Sequence, residues 1–292
     1  MNEAIKRIIL IFVIIPLKLF ASPQMPDFII YKKDTITTYD LILEKYLQKK
    51  DSKNTNTLFG LSFRNNSSLN CWRGYQAIYK IENDSLFIVD IINCGELVNR
   101  KIDKTQSLEK LKSIFGGKLR NNKVHIDWFE GILNFPRTNE LLRWDGVFYK
   151  IFEQEKLLTI SNGIVLKTED ISNYIDDPKR KDRRNEKKIS EILFKKLKKE
   201  KWRNKNGFDC GSKYFVTIDQ NGNVSKVRMA YTDQEIEEFY EKDELIFCTN
   251  KILNALKPLK FDIIKDKGKP ISEDIYIEIF LDINGKIENR TR

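Results

Sequence analysis

Apolar positions along this chain follow two rhythms. Tyr39, Ile42, Leu43, Tyr46 and Leu47 recur at the spacing of one helical face, which predicts a helix there. From Leu58 to Lys167 the pattern changes to short runs of β-branched and aromatic residues separated by turn signals, which predicts strands. Ala77–Ile81 and Leu86–Ile91 flank a Glu82-Asn83-Asp84 turn, and Ser161-Asn162-Gly163-Ile164 marks a second tight hairpin. One helix, Leu108 to Phe115, interrupts the strands and stops at Gly116-Gly117, residues suited to a left-handed cap. Further on, Ile275, Ile277 and Ile279 alternate with Tyr276, Glu278 and Phe280, as in a sheet strand with one face on a core.

A third pattern separates these regions. Between Lys179 and Lys205 stand fourteen Lys and Arg against four acids, a surplus of ten that equals the formal charge of all 292 residues. The basic character therefore belongs to one segment. Ile189, Ile192, Leu193 and Leu197 share a helical face within it, and the lysines cover the other sides. The simpler reading is a connecting helix with a solvated basic face, and the sharper one is contact with an anionic surface such as lipid head groups or cell-wall polymer. No nucleic-acid motif accompanies the charge, so a nucleic-acid partner is not expected.

The first residues carry an address. Lys6-Arg7, the apolar run Ile8–Leu17 and Leu19-Phe20-Ala21 before Ser22-Pro23 have the layout of a secretory signal peptide cut after Ala21. Pro16 and Lys18 end the run well short of the roughly 20 apolar residues that a membrane span needs. No membrane span is expected after cleavage, and the mature chain is expected in the periplasm or the medium. Export favours disulfides. A two-residue hairpin loop at residues 82–83 or 83–84 leaves Cys71 and Cys94 close together at the open end, which predicts a bond, with two buried free thiols as the alternative.

Candidate chemistry is sparse. A single histidine excludes the two-histidine zinc protease motif, the 13 glycines contain no G-x-G and no G-x-x-x-x-G-K, and no metal or other cofactor is expected. Three tryptophans stand beside charged residues, in Cys71-Trp72-Arg73, His125-Ile126-Asp127-Trp128 and Arg143-Trp144-Asp145. In a strand over Val124–Phe129, His125 and Asp127 would share a face, the geometry of an oriented imidazole base. The alternatives are core packing for Trp128, and a recognition face in which Trp72, Arg73, His125, Asp127, Arg143 and Trp144 meet a sugar or peptide.

From Lys213 the chain reads YFVTIDQNGNVSKVRMAY, then a long helical region, ALKPLKFDIIKDKGKPI and the strand IYIEIFLDI. With Asp219, Gly222 and Val224 followed by Gly268, Lys269 and Pro270, residues Gly207 to Arg292 resemble the TonB C-terminal domain family. The resemblance implies a small antiparallel sheet with a packed helix, and binding of an envelope protein or peptide by an exposed sheet edge; if the final strand is that edge, the alternation places Tyr276 and Phe280 beside the partner, the alternative being an inner strand. It does not imply energy transduction, because the transducing members carry a membrane anchor and a long proline-rich spacer. Cys210 before the first strand and Cys248 in the helical region of this module suggest a bond that pins helix to sheet.

The expected organisation is thus an α+β chain: a signal peptide over residues 1–21, a β-rich α+β domain over 22–175, a basic connecting helix over 176–206 and a TonB C-terminal-like domain over 207–292. The expected function is non-catalytic binding in the bacterial cell envelope. An envelope hydrolase with its site in the N-terminal domain and a protective or inhibitor protein are the alternatives.

Overall fold

The computed structural model describes residues 23–50, 67–98, 102–202, 207–282 and 284–291. The expected signal peptide and its cleavage site lie outside them, as do residues 203–206 of the expected connecting helix. Among the described residues no helix is long and apolar enough to cross a membrane. The fold is mixed α+β and rich in strands. It divides into two compact units, the first built from residues up to Lys80 with Ile88–Val124 and Asp145–Tyr149, the second from Ile81–Phe87, His125–Trp144 and Lys150 onward.

In the first unit β1 (Asp27–Tyr31) and β2 (Asp34–Thr38) form a hairpin with Ile29 opposite Ile36. The helix Ile42–Lys50 follows, burying Ile42, Leu43 and Leu47. Tyr39 precedes it, because Leu41 has φ 51° and breaks the helical path. β3 (Gln76–Glu82) and β4 (Ser85–Ile92) continue the sheet in the order β2-β1-β3-β4. Their loop is Asn83-Asp84, with φ of 49° and 56°, as a hairpin of type I′ demands. The second helix runs from Lys104 to Phe115, four residues earlier than its apolar pattern suggests, because the Asp103 side chain accepts from Gln106 N and caps it. Gly116 ends it with a positive φ of 50°, although its ψ of −117° lies outside the left-handed helical region.

A buried polar cluster centres on Asp27. Arg73 Nη1 donates to both carboxylate oxygens of Asp27 at 2.8 Å, Ala77 N donates to Asp27 Oδ1, and Tyr79 Oη lies 3.3 Å from Oδ2. Tyr75 Oη donates to Glu44 at 2.7 Å. Burial, the largest single effect, opposes the Arg73 charge, but the Asp27 carboxylate together with Tyr75 and Tyr79 outweighs it and holds the guanidinium above its usual pKa. Cys71 and Cys94 are bonded, with 6.3 Å between their Cα atoms.

The strands that follow are β5 (Val124–His125), β6 (Gly131–Pro136), β7 (Leu141–Trp144), β8 (Lys150–Phe152), β9 (Gln154–Ser161), β10 (Ile164–Ser172) and β11 (Tyr174–Ile175). In the second unit β10, β9 and β6 are antiparallel neighbours in that order, and β7 pairs β8. The β9–β10 turn is Asn162-Gly163, as expected, and only glycine fits: its φ is 76°, and a Cβ there would sit 1.9 Å from the Ile126 carbonyl oxygen. The helix Glu186–Leu197, capped by the Asn185 side chain, precedes β12 (Lys213–Ile218) and β13 (Val224–Met229). Two helices, Asp233–Phe239 and Lys242–Leu256, lead to β14 (Ile263–Asp266), β15 (Lys269–Pro270), β16 (Glu273–Leu281) and β17 (Ile287–Asn289). These give a sheet in the order β13-β12-β16-β17 and a smaller one in the order β11-β14-β15. The G-K-P motif therefore lies in the smaller sheet.

The stretch expected to be a connection is packed. Just before it, Tyr174 and Ile175 pair with Ile264 and Ile263; within it, Lys181 N donates to Lys260 O, and Asp262 N donates to Lys181 O. Further along the same stretch, Ile189, Leu193, Phe194 and Leu197 enter the same core as Tyr214, Val216 and Ile277. The helix is amphipathic, as its sequence indicates, and its apolar face lies in the core of the C-terminal sheet.

Candidate binding site

The C-terminal sheet has two unlike faces. Ile275, Ile277 and Ile279 are 5%, 0% and 2% exposed and point into the core, where each buried side chain is worth about 1.5–3 kcal/mol. Tyr276, Glu278 and Phe280 are half-buried on the opposite face, as their alternation predicts. β12 stands beside β16 with Phe215 opposite Tyr276, and their rings meet edge to face at 5.9 Å. Arg228 of β13 lies over Phe215 at 4.3 Å, and Arg290 lies over Phe280 at 3.5 Å. This outer face therefore carries three aromatic rings, two of them covered by guanidinium groups.

Its charges are partly tied down. Asp274 accepts from Thr217 Oγ1 at 2.6 Å and from Arg228 Nη2 at 2.9 Å, and these contacts, the hydroxyl first, hold its carboxyl below the usual pKa. Burial, followed by the neighbouring Glu278 carboxylate, pushes the Tyr276 phenol up, so the ring is a neutral donor at ordinary pH.

β16 is not an edge strand over its whole length: β17 pairs with Ile279–Leu281 on the side away from β12. The short β17 leaves the ladder at Glu278, whose N–H is taken by the Thr291 hydroxyl at 2.9 Å. Because Ile279 N donates to Ser212 O, the odd-numbered residues of β16 face β12, and the main-chain groups of Tyr276 face the other way. They face a groove of about 550 Å³ lined by Glu186, Lys187, Ser190, Ile275, Tyr276 and Asn289, among others. Cys210 and Cys248 are bonded and tie the approach to β12 to the helix Lys242–Leu256, their Cα atoms 5.3 Å apart.

The other expected site residues are scattered. Trp72 is 38% exposed in the first unit, whereas Arg73 beside it is 2% exposed and spent on Asp27, so it leaves the recognition face proposed for it. His125 and Asp127 do not share a strand face: β5 ends at His125, and Asp127 lies in a turn. His125 packs edge to face on Phe87 at 5.5 Å. Trp144 is 43% exposed, with Lys150 Nζ 5.3 Å from its ring centre. Among the described residues no group of three or more His, Cys, Asp or Glu side chains is placed to hold a metal ion.

Arg143 belongs to a buried ionic cluster. Glu273, the first residue of β16, accepts from Arg143 at both oxygens and from Arg183 Nε at 2.9 Å. Arg183 Nη2 lies 2.7 Å from the same carboxylate, off the hydrogen-bonding direction, and adds attraction without a directed bond. Burial lowers the Arg183 pKa, and Glu273 opposes that effect. Tyr174 Oη accepts from Arg183 N at 2.8 Å and donates to the buried Asp262 at 2.6 Å, while Arg184 stacks over the Tyr174 ring at 4.0 Å. Arg143 is thus a structural residue. Sequence reasoning missed Phe215, Arg228 and Arg290 on the outer face, although the alternation of Tyr214 and Val216 about Phe215 carries the signal.

Comparison with known protein families, with curated proteins and with solved structures finds no match for this chain. The two disulfides fit an oxidising, extracytoplasmic location.

Proposed function

We propose that this is an exported, non-catalytic binding protein of the bacterial cell envelope, periplasmic or secreted, that engages an extended polypeptide at its C-terminal sheet. The TonB C-terminal-like reading of residues 207–292 is part of the proposal. The observation that carries it is the coincidence of an outer face bearing Phe215 of β12 with Tyr276 and Phe280 of β16, and a groove onto which the Tyr276 main chain opens. An extended partner could pair with those main-chain groups while its side chains meet the aromatic face. Tyrosine and arginine suit such a role because each offers a large flat contact with a polar rim.

Photo-crosslinking amino acids at positions 276 and 280 test the proposal in intact envelopes. One partner polypeptide captured from both positions, and lost when Phe215 is replaced by Ala, is the expected result. Capture from positions 72 and 144 alone would place binding elsewhere and reject this reading.

A further inference from the structure

A second surface of the same unit gathers positive charge that the fold does not neutralise. Lys198 and Lys201 follow the helix Glu186–Leu197, Lys286 comes from the turn before β17, and Lys251 comes from the helix Lys242–Leu256. Lys198, Lys201 and Lys286 line a concavity of about 690 Å³ together with Glu200, Trp202, Asn284 and Ile287. Lys251 Nζ sits 5.6 Å from the Trp202 ring centre. None of the four pairs with a carboxylate among the described residues, whereas Arg180, Arg183 and Arg184 of the same basic stretch all do.

Complementing the helix dipole does not account for this arrangement. The carbonyl of Leu197 already accepts from Trp202 Nε1 at 3.0 Å and from Glu200 N at 3.0 Å, and that of Phe194 accepts from Lys198 N at 2.9 Å. Two of the four cations also come from chain segments distant from this helix. Like charges drawn into one concavity repel one another and focus a positive potential into it. Asp282, which is not among the lining residues, accepts the N–H groups of Asn284 and Lys286 at Oδ1. Glu200 is the one acid in the lining.

We propose that this concavity is a binding site for a phosphate-bearing ligand, with Lys198, Lys201 and Lys286 as its cationic contacts, Trp202 and Ile287 as its apolar floor, and Lys251 adding positive charge from beside the Trp202 ring. Ammonium groups bind phosphate as mobile point charges, and three from two segments surround an anion better than one helix face does. The site is separate from the aromatic sheet face, and its test does not depend on the function proposed for that face. The phosphate group has two possible sources, a lipid head group or a soluble phosphorylated chain.

Titration of the purified protein with tripolyphosphate, and co-sedimentation with phosphatidylcholine vesicles with and without phosphatidylglycerol, separate them. Binding of either probe, weakened about tenfold or more in the pair Lys201→Gln and Lys286→Gln but less than about threefold in the control pair Lys112→Gln and Lys118→Gln, is expected. Restored binding in Lys201→Arg with Lys286→Arg would follow from the charge. Tripolyphosphate binding alone assigns a soluble ligand, and binding to the anionic vesicles alone assigns a head group. Equal weakening by both pairs would reduce the effect to net charge, and binding of neither probe would remove the site. If the glutamine pair lowers the melting temperature, Lys198→Gln alone replaces it.

Discussion

Two halves of one basic stretch behave in opposite ways. In residues 180–184 each arginine faces carboxylates: Arg180 meets Asp177, Arg183 meets Glu273, and Arg184 meets Glu153 and Asp176. In residues 195–201 five lysines stand without a paired acid among the described residues, Lys195 and Lys196 on a helix whose apolar side is core and Lys198, Lys199 and Lys201 just after it. Net charge counts both halves alike. The difference lies in chemistry and partners: the planar, forked guanidinium can serve several acceptors at a buried junction, whereas the ammonium stays hydrated at the surface. The first half holds the unit together, and the second is left available.

The widest gap between the halves is in stability. Glu273→Ala strands Arg143 and Arg183 without their shared carboxylate and is expected to cost about 3–5 kcal/mol in urea unfolding. Lys198→Ala and Lys201→Ala should each stay within about 0.5 kcal/mol, since exposed side chains away from special contacts rarely matter more. A Glu273→Ala protein as stable as the parent would mean that the cluster is incidental. Next in size is the bond that anchors the sheet. Replacing Cys210 and Cys248 together by Ser should remove about 3–4 kcal/mol, the loop entropy of a 38-residue separation. Then comes Tyr174→Phe, which takes a donor from Asp262 and an acceptor from Arg183 N and should cost about 1–3 kcal/mol by the same assay.

The smallest effect is a dependence on pH. The Arg184 backbone N–H is the first cause holding the Asp182 carboxyl below its usual pKa. The unfolded chain therefore takes up this proton at a higher pH than the folded one. The stabilisation is complete above the ordinary aspartate value of about 4 and is lost as pH falls through the lower folded value. Because Asp182 is largely exposed, solvent screening keeps the effect small. Asp182→Asn should flatten that part of the acid limb, and an unchanged limb would remove Asp182 as its source. Trypsin supplies a kinetic counterpart: cleavage should begin after Lys198, Lys199 or Lys201 and spare Lys181 and Arg183, whose backbones are bonded into the unit.

Local signals were the readable ones. Asn-Asp and Asn-Gly mark the hairpins because their residues tolerate positive φ, and strict alternation exposes Tyr276 and Phe280 on one side of β16. Both disulfides also follow from hairpin geometry or from the resemblance, since the cysteines bracket short, well-marked elements. Long-range pairing was not readable. Arg183 meets a carboxylate 90 residues away, and nothing beside Arg73 in the sequence points to Asp27, so both were assigned by their neighbours. The strand expected over Val124–Phe129 stops early because Gly163 packs against the Ile126 carbonyl and the chain turns at Asp127. Hydrophobic alternation cannot register such a close approach.

Amide hydrogen exchange over residues 179–202, with and without tripolyphosphate, tests the division of the basic stretch most directly. The amides of Lys181 and Arg183, bonded to Lys260 O and Tyr174 Oη, should exchange as slowly as those of β12 and β16 in either condition. Those of Lys201 and Trp202, beyond the bonded turn Lys198–Glu200, should gain protection only when the anion is present. Rapid exchange at Lys181 and Arg183, at the rate of an open linker, or equal gains along both halves on adding tripolyphosphate, would contradict the account.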